Sequence, residues 1–326
     1  MSKYGLVGEK LGHSYSKELH EAFGLNGYEL IEVPVDKIDG YFAKADFTGI
    51  NVTIPYKQTA FKYCIADKVA LEIGAVNTMV KRNGKVYGYN TDYLGFEYML
   101  KRAGISLAGK KVVILGSGGT SKTARFVCKR AGASAIVVLT RNKVTDEEGG
   151  VLFATYEQKE LYSDAEAVIN TTPVGMYPNI NACPIDIGIF DRLEAVADVI
   201  YNPSETELLR AAADKGIKHT GGLPMLVAQG WYAERLFTGE FSGTDEIETK
   251  QEDSGKAEYS QAQKGIAPKK QEDSGKAECS RSQNGITPKK REDSGKAEYS
   301  QAQKGMVPEI ESVIIRLAGE NGRLSL

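Results

Sequence analysis

Histidine and tryptophan are scarce in this chain of 326 residues, with three copies of one and a single copy of the other. His13, His20 and His219 show no zinc-ligand spacing, so no metal is expected. Cysteine is scarce too. Cys64, Cys128, Cys183 and Cys279 are widely scattered and form no CxxC pair. In a chain this long they read as reduced thiols, not as a disulfide framework. No apolar run approaches the ~18 residues of a membrane span. The opening MSKYGLVGEKLGHS lacks the long apolar core of a signal peptide. An excess of one charge sign is also missing. The net charge is −2 and the isoelectric point about 6.1. That points away from nucleic acid and from membrane surfaces as partners. A cytoplasmic enzyme or binding protein with a small-molecule ligand is the expectation, as a monomer or homodimer.

What is present is an ordinary globular composition, 41% hydrophobic and 26% charged, which is enough for a sizeable core. At roughly 100–200 residues per domain, two domains are expected. From Tyr4 to about Phe96 short apolar runs alternate with helical stretches. YGLVG, YELIEVPV and GINVTIP read as strands, SKELHEAFGLNG as a helix ended by glycine, and KQTAFKYC as helical. VNTMVKRNGKVYGYNTD reads as a hairpin turning at Asn83-Gly84. From about Tyr98 a second αβ pattern begins. KKVVIL, AIVVLTR, AVIN, AVADVIY and a short segment near His219 are strands. Strands this apolar are buried on both faces, as in a parallel sheet covered by helices. A helix over about 224–238 follows.

The composition then changes. QEDSGKAEYSQAQKGIAPKK starts at Gln251, a near-copy starts at Gln271, and a partial third at Arg291. Solenoid repeats of similar period carry a leucine framework. Here each unit has one isoleucine or methionine among small and charged residues, which cannot offset the entropy of ordering the chain. Residues 247–305 are therefore expected to form a disordered arm. An inert spacer is the favoured reading over a tether that uses Tyr259, Cys279 and Tyr299 as contacts. VPEIESVIIRLAG is amphipathic and is expected to dock back as a helix. The domain expectation is 1–97, joined by 224–246 and 306–322, for one domain and 98–223 for the other.

VVILGSGGTSKTA places Gly116, Ser117, Gly118, Gly119 and Thr120 between a buried strand and a helix. Glycines let the backbone approach a pyrophosphate, and the helix N-terminus supplies N–H donors. The spacing is G-x-G-G rather than the full G-x-G-x-x-G, and a tight turn alone would also use it. The next strand ends in Thr140 and Arg141 where an NAD site would carry an acid. A guanidinium pairs with a 2′-phosphate, so NADP is favoured over NAD. The plain alternative for Arg141 and Lys143 is solvated loop charge.

GINVTIPYK raises a further question. Ile50, Val52 and Ile54 alternate with Asn51 and Thr53, the period of a half-buried strand, and Pro55 then ends the ladder. Lys57 follows two residues later. Other polar residues also stand out: Ser14 and Ser16 before a helix, Asn77 in an apolar context, and Asn90, Thr91 and Asp92 after a strand. Each could be a turn former or helix cap.

Taken in order, GEKLGHSYSKELHEAF, GINVTIPYK, IGAVNT, GYNTDYLGF, LGSGGTSKTA, INTTPVGM, DVIYNP and GGLPMLVAQG resemble the shikimate dehydrogenase family. The resemblance covers about 4–240, with a weaker match at 306–320. It implies an α/β fold with an N-terminal α/β substrate domain, a Rossmann-type NADP-binding domain and a cleft between them. It implies NADPH-dependent reduction of 3-dehydroshikimate to shikimate. On the family pattern Ser14, Ser16 and Thr53 hold the substrate carboxylate, with Tyr201 near it. Lys57, Asn77, Asp92 and Gln229 meet the ring hydroxyls. Lys57 and Asp92 form the catalytic pair. Residues 116–120 take the pyrophosphate and Arg141 the 2′-phosphate. Thr172, Met176 and Gly222 complete the cofactor contacts. A lysine at a strand end can protonate the oxygen of a ketone that receives hydride, provided a carboxylate balances its charge.

The match has departures. Lys17 stands where the family has proline after the second serine, and Lys10 replaces an upstream proline. TRNK replaces the usual Asn-Arg-Thr. Two other readings stay open at this level: a quinate/shikimate dehydrogenase that accepts NAD, and a non-catalytic ligand-binding paralogue.

Overall fold

Short apolar runs bounded by glycine or proline fold as strands. β1 (Tyr4–Gly8) is followed by α1 (Ser16–Ala22), β2 (Tyr28–Glu32), α2 (Ile38–Lys44) and β3 (Gly49–Val52). Then come a 3-10 turn at Thr59–Tyr63, β4 (Ile65–Ala66) and α3 (Lys68–Ile73). β5 (Thr78–Arg82) and β6 (Lys85–Tyr89) form the expected hairpin, and Asn83 and Gly84 both take positive φ, 50° and 76°. The computed structural model describes residues 3–12, 14–141, 147–241 and 308–317.

These strands form one six-stranded sheet in the order β2-β1-β3-β5-β6-β4. β1 is parallel to β2 and β3, and β5 runs antiparallel to β3 and β6. One face packs Val7, Ile50, Val52, Phe42 and Tyr56. The other packs Leu6, Tyr28, Leu236 and Phe237. β3 is therefore buried on both faces, not half-buried as its alternation predicts. It also stops at Val52. The chain turns at Thr53, and Ile54 is left 74% exposed.

α4 (Asp92–Arg102) leads into the second sheet. Its elements are β7 (Lys111–Leu115), α5 (Gly119–Arg130), β8 (Ala135–Thr140), β9 (Glu147–Glu148), β10 (Val151–Thr155), β11 (Ala167–Asn170), β12 (Ala195–Asp198), α6 (Glu207–Asp214) and β13 (Lys218–Thr220). α7 (Leu223–Thr238) returns to the first sheet. The order is β13-β12-β11-β7-β8-β10-β9, parallel except for β9 against β10. Numbered along the chain, the parallel strands follow the doubly wound order, which reverses direction between β7 and β11. Val112 and Ile114 pack towards α4 and α5, while Val113 and Leu115 pack towards α6. Both faces are covered, as the apolar runs predict.

The expected docking helix is present as α8, residues 308–317. Ile310, Val313, Ile314 and Leu317 join the core shared by α4 and α7. Glu311 accepts from Tyr98 at 2.7 Å and from Arg102 at 2.7 and 2.9 Å. Glu309 accepts from Trp231 and Arg235, each at 2.7 Å. The repeat arm expected over 247–305, with Cys279, lies outside the described residues, as do 242–246, 306–307 and 318–322. Cys64, Cys128 and Cys183 are free thiols. Among the described residues no helix is long and apolar enough to cross a membrane.

Asp198, at the end of β12, is fully buried. Its Oδ1 accepts from Asn170 Nδ2 at 3.0 Å and Ile200 N–H at 3.1 Å, and its Oδ2 accepts from Thr206 at 2.8 Å. Burial pushes the carboxyl up to about 6, against the three hydrogen bonds that favour the anion. The folded state therefore holds a proton between about pH 4 and pH 6 that the unfolded chain has lost. Stability attached to this group falls as pH rises through that window, by about 3 kcal/mol in all. Asp198→Asn keeps the shape and removes the titration. The stability difference between the variant and the parent, from urea midpoints at pH 4.5 and 6.5, should move in the variant's favour at the higher pH. A difference that stays constant contradicts the assignment.

Candidate active site

Past β3 the chain makes a tied turn. Thr53 N–H donates to Val7 O at 2.9 Å, Tyr56 N–H donates to Thr53 O at 2.9 Å, and Val76 N–H donates to Lys57 O at 3.0 Å. Lys57 is thus fixed beside β5. Its Nζ donates to Asp92 Oδ2 at 2.6 Å, with the two side chains 24% and 15% exposed. Asp92 opens α4, where the positive end of the helix favours a carboxylate. Its own N–H donates to Asn90 Oδ1 at 3.1 Å. Its second oxygen accepts from Asn77 Nδ2 at 2.8 Å. Asn77 is itself held by Thr91 N–H, which donates to Asn77 Oδ1 at 2.7 Å. The carboxylate thus has a separate donor for each oxygen, an arrangement that resists rotation.

This pair sits in a cleft of about 540 Å³ lined on one side by the first sheet and the loops after its strands and on the other by loops and helix starts around the second sheet. Ser14, Ser16, Thr53, Lys57, Asn77, Asp92, Tyr201 and Gln229, the predicted substrate contacts, all line it. Ser14 Oγ donates to Ser16 Oγ at 3.1 Å and accepts from Ser16 N–H at 3.2 Å. Neither serine caps α1, because Tyr15 occupies that position. Tyr15 meets Tyr201 edge-on at 5.8 Å, and burial raises the Tyr201 phenol, so it stays a neutral donor. Gln229 is steadied by its Nε2 donating to Leu226 O at 2.9 Å. The two unexpected lysines behave differently. Lys17 turns to Glu21 on its own helix, 3.9 Å away. Lys10 lines the cleft and adds a cation to it.

A second cavity of about 640 Å³ lies where the strand order of the second sheet reverses. Gly116, Ser117, Gly118, Arg141 and Thr172 line it. Gly116 needs its residue type: φ is +94°, and a Cβ there would lie 2.8 Å from Thr172 Cγ2. No side chain caps α5, so its first N–H groups remain available to an anion. Ser117 and Thr140 hydroxyls share a hydrogen bond of 3.2 Å. Tyr156 stands beside Arg141 in the same cavity. These features suit a dinucleotide with a further phosphate. Thr120, Met176 and Gly222 line the first cleft instead. A Cβ at Gly222 would lie 2.0 Å from Val199 O, so α7 can start there only from glycine. Gly119 lines neither cavity and begins α5. Lys143 lies outside the described residues.

Three polar residues of the cleft, Lys10, Tyr15 and Asn51, are not among the predicted contacts. Asn51 is 6% exposed, and its position in an alternating strand gave the wrong signal, an outward-facing polar residue.

Residues 6–79 match the family model described as the shikimate dehydrogenase substrate binding domain. A shikimate dehydrogenase (NADP(+)) of Clostridium perfringens is 38% identical over 252 residues, covering 73% of this chain and 93% of that protein. The crystal structure of shikimate dehydrogenase 1 from Peptoclostridium difficile has a TM-score of 0.66 at 37% identity, covering 73% of this chain and 92% of that one. The Thermus thermophilus shikimate 5-dehydrogenase, solved in complex with NADP(H) and shikimate, has a TM-score of 0.65 at 33% identity, with 73% and 94% covered. This chain belongs to the shikimate dehydrogenase family.

Proposed function

We propose that this chain interconverts 3-dehydroshikimate and shikimate with NADP as the coenzyme. The observation that carries the reading is the 2.6 Å contact of Lys57 with Asp92 inside a cleft that also holds two serine hydroxyls. In this reading the substrate side is built by the described parts of 1–97, 224–246 and 306–322, and the cofactor side by those of 98–223.

Bound NADPH supplies a hydride to the ketone carbon. The chain's own residues do the rest. Ser14, Ser16, Thr53 and the Tyr201 hydroxyl orient the substrate carboxylate. Asn77 and Gln229 meet the ring hydroxyls. Lys57 donates a proton from Nζ to the oxygen that becomes a hydroxyl. Asp92 holds that ammonium in line and keeps the partly buried charge balanced. In the oxidative direction Nζ takes the proton back. The first N–H groups of α5 and the 116–120 turn would hold pyrophosphate, and Thr172, Met176 and Gly222 would meet the rest of the coenzyme. Arg141 pairs with the 2′-phosphate.

A non-catalytic binder would have no use for a proton donor fixed on a carboxylate. The presence of Arg141 and of both serines favours shikimate with NADP over quinate with NAD. Lys57→Ala should lower kcat about 10²–10⁴-fold in a shikimate-dependent NADPH absorbance assay, with a much smaller change in KM. Near-normal turnover would remove Lys57 from proton transfer. Arg141→Ser should raise KM for NADP about 10- to 100-fold and leave KM for NAD nearly unchanged. Equal changes for both coenzymes would detach Arg141 from the 2′-phosphate. Lys10→Gln should raise KM for shikimate severalfold at low ionic strength, with the effect shrinking as salt screens the cleft. A salt-independent effect would rule out attraction of the substrate carboxylate by Lys10.

A further inference from the structure

His20 on α1 and Glu234 on α7 are buried behind the substrate sheet, their side chains 1% and 6% exposed. His20 Nδ1 and Glu234 Oε2 lack a hydrogen-bond partner and face each other at 3.6 Å. The other ring nitrogen, Nε2, lies 3.0 Å from Asn51 Oδ1. Which atom carries the proton can be worked out from the far end of this polar system.

Asp92 as a carboxylate only accepts, and Thr91 N–H only donates. Asn77 must therefore turn Nδ2 to Asp92 and Oδ1 to Thr91 N–H, at 2.8 and 2.7 Å. Thr78 Oγ1 lies 3.0 Å from Asn77 Oδ1 and 3.3 Å from Thr91 Oγ1, and the shorter contact, to an oxygen that only accepts, takes its single hydrogen. With that hydrogen used, Thr78 can only accept from Asn51, whose Nδ2 is 3.1 Å away. Asn51 Oδ1 thus faces His20, and Nε2 must be the N–H. The Tyr28 hydroxyl donates to the same Oδ1 at 2.7 Å, and burial keeps that phenol protonated. Every donor in the series points the same way, from His20 to Asp92. The opposite imidazole tautomer would favour turning over the Asn51 amide and would leave Thr78 with no hydrogen for Asn77.

With Nε2–H fixed, a bare Nδ1 opposite an ionised Glu234 would put a lone pair against a buried charge. That is costly for both groups. We propose that His20 and Glu234 hold one proton between them and serve as a positioning pair for the active site, locking Asn51 and, through Thr78 and Asn77, the Asp92 carboxylate that holds Lys57. The titratable groups facing His20 are Glu234 and Tyr28, which stacks on the ring at 4.1 Å; Phe237 lies tilted to the ring at 5.8 Å. The inference rests on the reading of Lys57 and Asp92 as the catalytic pair.

Two measurements on the full chain test it. In ¹⁵N–¹H spectra of histidine-labelled protein, with His20→Gln to assign the signal, Nε2 of His20 should carry a proton at neutral pH. Glu234→Gln should change the Nδ1 resonance and leave Nε2–H in place. A bare Nε2 with Nδ1–H overturns the proposal whatever the activity. In kinetics, His20→Phe keeps the ring stack and removes the donor. It should lower kcat about 10- to 100-fold with little change in KM for shikimate. His20→Gln restores a donor and should recover most of that loss. An unchanged kcat in His20→Phe, or no recovery in His20→Gln, also overturns it. Absence of shikimate turnover in the parent chain would count against the proposed function, whereas a bare Nε2 in an active chain counts against this pairing.

Discussion

The Asp92 carboxylate is the point on which the site depends. It sits at the positive end of α4, and its two oxygens are taken by donors from the turn after β3 and from the residue just before β5. A carboxylate held at only one oxygen would swing and carry the ammonium with it. Held at both, it gives Lys57 a single place to be. The turn from Thr53 to Lys57 completes the restraint from the lysine side, through backbone bonds to Val7 and Val76. Positioning on this scale is what proton transfer asks of a protein, because small displacements of a reacting group carry large kinetic losses.

The two sheets meet that requirement in different ways. The first is mixed, and its β3 is covered on both faces, so a polar side chain such as Asn51 must find all its partners inside. The second is parallel over most of its width and leaves a crevice where its order reverses, with Gly116 and Thr172 in contact range across it. α7 joins the two. It begins at a glycine pressed against Val199, carries Gln229 to the cleft, and ends against the first sheet at Phe237.

Much of this was legible in the sequence. The apolar strands of the second sheet, the Asn83-Gly84 hairpin, the helix near 224–238 and the docking helix near 308–317 all stand where the pattern puts them. The sequence pattern carries no clear signal for α2, α3 and α6. They run to seven, six and eight residues, too short to be helical without the packing around them. β10 also went unread. The predicted substrate residues converge on one cleft because the motifs that carry them lie at strand and helix ends. Asn51 was misread for a clear reason. Alternation says which side chains share a face, but not whether a distant segment covers that face. Here α1 and α7 do so, and they supply His20 and Phe237. Lys10 was noticed as a departure, yet its place in the cleft is set by the loop's path, which no local pattern encodes.

The docking of α8 has a consequence for the long segment that precedes it. Glu309 and Glu311 find their partners on α7 and α4, and every contact described for the helix is made within the folded body. For a connecting chain without contacts of its own, length enters such a docking only through the closing of a loop. In the limit of a featureless chain that term grows with the logarithm of length, so one 20-residue unit more or less changes it by about 0.2 kcal/mol. For such a chain, a whole unit gained or lost would leave the docking of α8 nearly unchanged.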